Sequence, residues 1–162
     1  MRQHTALIAL AGALTVAGTA FAPPGALKAA AEKPAAEKSA DVPAATFNAT
    51  LTGASEVPHA DPDGTGSFTA RLNARHDQLC YELKADKVDT ATAAHVHSGA
   101  VGTNGPPVIM LDAPVNGVAT KCAAVTMDLA MKLMDHPDNY YVNVHNAAYP
   151  NGAIRGQLAK AP

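Results

Sequence analysis

From Thr46 onward, apolar and polar residues alternate with a period of two, in short runs separated by turn residues. Phe47, Ala49 and Leu51 alternate with Asn48, Thr50 and Thr52. After the turn-rich stretch 58–66, Phe68, Ala70, Leu72 and Ala74 alternate with Thr69, Arg71, Asn73 and Arg75. Leu79, Tyr81 and Leu83 repeat the pattern beyond a turn at His76-Asp77. A strand sends residues i and i+2 to the same side, so each run reads as a strand with one buried face. Further strands are expected around His95, over the apolar run Val108–Leu111, between Val115 and Val125 with a turn at Asn116-Gly117, around His145, and over 153–158. Thr126 is placed to cap a short helix through Asp135, and Pro137 ends it. Short strands with frequent turns and one small helix predict an all-β fold: an antiparallel β-sandwich, Greek-key or immunoglobulin-like.

Two of these strands carry histidine opposite an aliphatic face. In 94–99, His95 and His97 point one way and Val96 the other; in 140–146, Tyr141, Asn143 and His145 oppose Val142 and Val144. If the valines face the core, His95, His97 and His145 emerge together on the polar side. The turn at Tyr149-Pro150-Asn151-Gly152 then leads into a last strand where Ile154 and Leu158 oppose Arg155 and Gln157. If this strand pairs with the His145 strand, Asn143 and His145 share a face with Arg155 and Gln157. Three imidazoles so grouped can ligate a transition metal, copper or zinc above all. The bland alternative is a polar network of His95, His97, Asn143, His145, Arg155 and Gln157 that satisfies itself and pins strand register without a metal.

The front of the chain is different. Residues 1–22 have the layout of a secretory signal: Arg2 and His4, an apolar stretch from Ala6 to Ala17, and a small-x-small pattern at Ala20-Phe21-Ala22. Cleavage after Ala20 or Ala22 is expected, with no integral membrane segment left afterwards. Residues 23–45 use little beyond Ala, Pro, Lys and Glu, a composition that cannot bury enough apolar surface to offset its ordering entropy, so a disordered linker is expected there. The folded domain then occupies 46–160, the size of one ordinary domain.

A net charge of −2 and the absence of Trp give no electrostatic footprint for nucleic acid. The two cysteines, Cys80 and Cys122, both fall in the part expected to be exported. An even count in an oxidising compartment favours a disulfide over two buried thiols.

The runs AHVHSGAVGTNGPPVIML (94–111) and NYYVNVHNAAYPNGAIRGQL (139–158) resemble the CHRD domain, named from the animal secreted protein chordin and widespread in exported bacterial proteins. LTGASEVPHADPDGTGSFTARL (51–72) is similar to the family's opening, and QLCYEL and TKCAAV to bacterial members with a cysteine pair. One departure is His59, where the family usually has a second Pro. The resemblance implies a periplasmic or secreted β-sandwich whose role is binding rather than catalysis. Its partner would be a metal or an unidentified protein.

Other chemistry is weaker. The HVH triplet also resembles a copper-ligand strand of Cu/Zn superoxide dismutase, but no histidine-and-aspartate set for that enzyme's zinc is evident. Glu56 and the Asp61/Asp63/Gly64 turn lack the spacing and acidic count of a calcium loop. Met127, Met131 and Met134 lie at helical spacing and are expected in the core. Tyr140, Tyr141 and Tyr149 are expected to pack or to line a rim. The expectation is a non-catalytic exported binding module, with a metal-free structural or protein-interaction domain as the alternative and a dismutase-like enzyme as a distant third.

Overall fold

The computed structural model describes residues 44–162 apart from Ala74 and His76. The secretory signal expected over 1–22 and nearly all of the linker expected over 23–45 lie outside the described residues. Strand β1 spans Ala44–Thr52 and so begins two residues before the expected boundary, with Ala45 already buried.

The chain continues through β2 (Thr65–Asn73), β3 (Gln78–Asp86), β4 (Ala91–Ser98), β5 (Pro107–Leu111) and β6 (Val118–Ala124). Helix α1 (Met127–Asp135) follows, then β7 (Tyr140–Asn146), β8 (Ile154–Gln157) and a two-residue β9 (Ala159–Lys160). All pairings are antiparallel, in the order β5-β4-β7-β8-β1-β2-β3-β6, with β9 added to β1. The strand path is a single hydrogen-bonded sheet, in which β8 and β1 pair only at Thr52 and Arg155. Its two ends come close: Lys121 of β6 reaches Asp112, just after β5, at 2.9 Å, and the Asp112 N–H donates to the Tyr81 hydroxyl at 2.8 Å. The result is an antiparallel sheet curled nearly into a barrel, with one short helix.

The interior holds the apolar half of each alternating run. Phe47, Leu51, Phe68, Leu72, Leu79, Leu83, Val96, Val142, Val144 and Ile154 are essentially inaccessible to solvent. On β1 and β2 the alternate residues face water, as a half-buried sheet dictates. β7 breaks that rule: six of its seven residues are buried, on both faces. Something covers the outer face of the wall formed by β4, β7 and β8, and that cover makes the site.

Thr126 caps α1 as expected, its hydroxyl accepting from the Leu129 N–H. The methionines differ from expectation. Ala130 and Leu133 form the buried stripe, with Leu129 and Met134 beside them, whereas Met127 and Met131 are 50% and 42% exposed. Helical spacing is satisfied by the stripe one residue away, so the two methionines fall on the outer flank. Cys80 and Cys122 sit directly opposite each other on β3 and β6 and form the expected disulfide. Among the described residues, no helix is long and apolar enough to cross a membrane.

Candidate metal centre

The β4–β7–β8 register arranges the polar side chains in a grid. His97 lies opposite Tyr141 and Tyr141 opposite Gln157; His95 lies opposite Asn143 and Asn143 opposite Arg155; Ala93 lies opposite His145. The pairing of the His145 strand with the last strand follows the register anticipated from sequence. With Val96, Val142 and Val144 turned inward, the three histidines, Asn143, Arg155 and Gln157 share the outer face.

His95, His97 and His145 each offer one ring nitrogen, and these three atoms lie within 4.8 Å of one another. The rings meet edge to face or tilted, with centroids 5.0 to 6.3 Å apart. A tetrahedral ion with bonds of about 2.0 Å sets its nitrogens about 3.3 Å apart, so the three rings would have to draw together to ligate one ion.

The surrounding bonds assign the protons. His97 Nδ1 lies 2.8 Å from the Gly105 carbonyl and His145 Nδ1 lies 3.0 Å from the Pro150 carbonyl. A carbonyl only accepts, so both rings carry a proton on Nδ1, and a neutral ring then leaves Nε2 as a lone pair. His95 Nδ1 then donates to His145 Nε2 across 3.1 Å. His97 Nε2 is left buried with no hydrogen-bond partner. An imidazole that donates one ring N–H to a backbone carbonyl and points its other nitrogen inward has the outer hydrogen bond usual for a metal ligand. Burial pushes the His95 pKa down, helped by the neighbouring His145 and His97. His145 is lowered too, again chiefly by burial, against the pull of the Pro150 carbonyl. Both effects favour the neutral imidazole that a metal requires.

The cover is the loop 99–106, and Arg155 holds it. This guanidinium is 1% exposed, lies 3.3 Å over the centroid of the Tyr141 ring, and donates to the Ala100 and Thr103 carbonyls and to Asn104 Oδ1. Gln157 Nε2 adds bonds to the Gly99 and Asp138 carbonyls. Tyr141 stacks on His97 with centroids 4.9 Å apart and planes 9° from parallel, and its hydroxyl accepts from the Gly105 N–H.

Glu56 is also buried here, beneath the turn at Gly152, whose φ is +133°. A Cβ on Gly152 would lie 2.7 Å from the Glu56 carboxyl carbon. Burial pushes the Glu56 pKa up to about 7, while Arg155 and hydrogen bonds from the Val57 backbone and Asn143 pull it down. In the sequence Glu56 stands out only as a calcium candidate and Tyr141 only as a packing or rim residue. Alternation did place Tyr141 on the histidine face, but no pattern put Glu56 beside Arg155. Asp61 accepts from the Asp63 and Gly64 N–H groups, so that acidic stretch is a side-chain-closed turn.

A family profile described as the CHRD domain matches residues 47–158, which span every residue of this site. The chain belongs to the CHRD-domain family. No curated protein and no solved structure matches it. Within this CHRD domain, the stretches 94–111 and 139–158 build the histidine face and its covering loop.

Proposed function

We propose that this CHRD-domain protein is an exported, non-catalytic binding module that holds one copper or zinc ion on His95, His97 and His145. The observation that carries this reading is His97 Nε2: a buried lone pair with no partner, fixed by the Gly105 carbonyl on the other side of its ring and turned toward two further imidazoles. A buried polar atom without a partner costs about 1–3 kcal/mol, and a metal ion would remove that cost. Three neutral nitrogens and no thiolate or thioether suit Cu(II) and Zn(II), with affinity along the divalent series peaking at copper. Export is supported by the signal-like pattern of residues 1–22 and by the Cys80–Cys122 disulfide, a bond of oxidising compartments.

Equilibrium dialysis against each ion, followed by elemental analysis, tests the assignment. One equivalent retained by the protein, and none by the His95→Ala/His97→Ala/His145→Ala triple variant, is the expected result. No retention by either protein sinks it.

The second reading is a structural or protein-interaction domain in which the histidines only hydrogen-bond. The 3.1 Å His95–His145 bond favours it. It predicts that His97→Ala lowers the melting temperature equally with and without metal, whereas the metal reading predicts a loss that grows when metal is added.

A further inference from the structure

One buried side chain outside the three-histidine cluster is linked to it through Tyr141 and the loop 99–106. Arg155 reaches His97 by two separate routes. Along the first, the guanidinium lies on one face of the Tyr141 ring, 3.3 Å from its centroid, and His97 stacks on that ring at 4.9 Å. Along the second, Arg155 donates to the Ala100 carbonyl at 3.2 Å, the Thr103 carbonyl at 2.7 Å and Asn104 Oδ1 at 3.2 Å. The next residue, Gly105, supplies the carbonyl that takes the His97 Nδ1 proton. Asn104 also donates to the Val57 carbonyl, which ties the loop to the segment carrying Glu56.

We infer that Arg155 is the positioning residue of His97: it clamps the loop 99–106 so that the Gly105 carbonyl holds the His97 proton on Nδ1 and leaves Nε2 as the ligand atom. This rests on the metal reading for its purpose but not for its geometry. Without the clamp, the His97 proton can move to Nε2, and an Nε2–H is no ligand. Only arginine offers the planar fork that reaches three acceptors while its face covers an aromatic ring. A guanidinium this deeply buried is costly to desolvate, and its several hydrogen bonds and the Tyr141 ring offset that cost. The clamp also couples two events. Metal binding and ordering of the loop must favour each other by the same factor.

The test uses Arg155→Lys, which keeps the charge and loses the fork. Asn104→Ala serves as a second variant, since Asn104 is exposed and its truncation leaves the core intact. The first readout is the pair of His97 ring nitrogen shifts in the metal-free protein, which report the tautomer. The second is Zn(II) and Cu(II) affinity by calorimetry. Wild type should show Nδ1–H alone; both variants should show mixed tautomers. Affinity should fall about 10- to 100-fold in Arg155→Lys and by less in Asn104→Ala, the range for loss of a group that orients a ligand. If Arg155→Lys does not fold, Asn104→Ala decides. An unchanged tautomer in a folded variant overturns the inference, as does a shifted tautomer with unchanged affinity. If wild type takes up neither ion while the variants still shift the tautomer, the positioning role stands and the metal reading fails.

Discussion

His97 and Glu56 are both buried polar groups left with an atom unpartnered, and they make different predictions. For His97, Nδ1 is committed and Nε2 is free, so replacing it by Ala removes the best-fixed ligand. Copper or zinc affinity should fall by more than about 100-fold while the metal-free protein still melts cooperatively. Unchanged affinity would remove His97 from the site. For Glu56, burial raises the folded-state pKa to about 7 from 4.5. The folded protein therefore binds the proton more tightly than the unfolded chain. That contribution to stability is fully present below about pH 4.5 and is lost as pH rises through 7. Glu56→Gln cannot ionise, so its melting temperature relative to wild type should rise between pH 5 and pH 8. Parallel pH profiles for the two proteins would contradict the buried-carboxyl account.

At the scale of elements, β4 and β7 carry the three histidines, the loop 99–106 covers them, and the β3–β6 pair contributes nothing to the site. Gly105 approaches the β4 backbone so closely that a Cβ would sit 2.8 Å from the Ser98 carbonyl carbon and closer still to its oxygen. Gly105→Ala should push the loop outward, break the His97–Gly105 bond and weaken metal binding about tenfold or more, with β4 and β7 still paired. Amide exchange that quickens in 99–106 and not in β7 would be the supporting pattern; protection unchanged in the loop would contradict it. The Cys80–Cys122 disulfide closes a sequence separation of 42 between strands that contribute no ligand. Replacing both cysteines by Ala should cost about 4 kcal/mol in the chain-entropy model. The melting temperature should drop by more than about 10 °C, with metal affinity unchanged in the folded protein. A large loss of affinity would mean that strain passes across the core to the histidine wall.

At the scale of the molecule, alternation explains what was legible in the sequence. Period-two runs in β1 to β3 named the buried residues, β7 named its inward valines, and the two histidine strands announced their shared face, because side-chain direction in a strand follows from position alone. Closure of the sheet was not legible, since whether β5 and β6 meet depends on twist and curl summed over the strand path. Burial of the outer face of β7 was hidden for a similar reason. The polar residues there read as a surface, but the loop 99–106 closes over Arg155 and the turn at Gly152 closes over Glu56. Met127 and Met131 were misplaced because helical spacing alone does not choose between adjacent stripes.

A nearly closed β-sheet sets three imidazoles on its outer wall, and the proposed function makes them the ligands of one metal ion. Calorimetric titration of the tag-free protein with Cu(II) and Zn(II), with thermal melts alongside, tests that claim most directly. One-to-one binding at submicromolar affinity is expected, with a stabilisation of about 2.7 kcal/mol once the free ion reaches a hundred times Kd. No heat of binding and no shift in melting temperature at tens of micromolar of either ion would contradict it and leave the histidines as hydrogen-bonding residues.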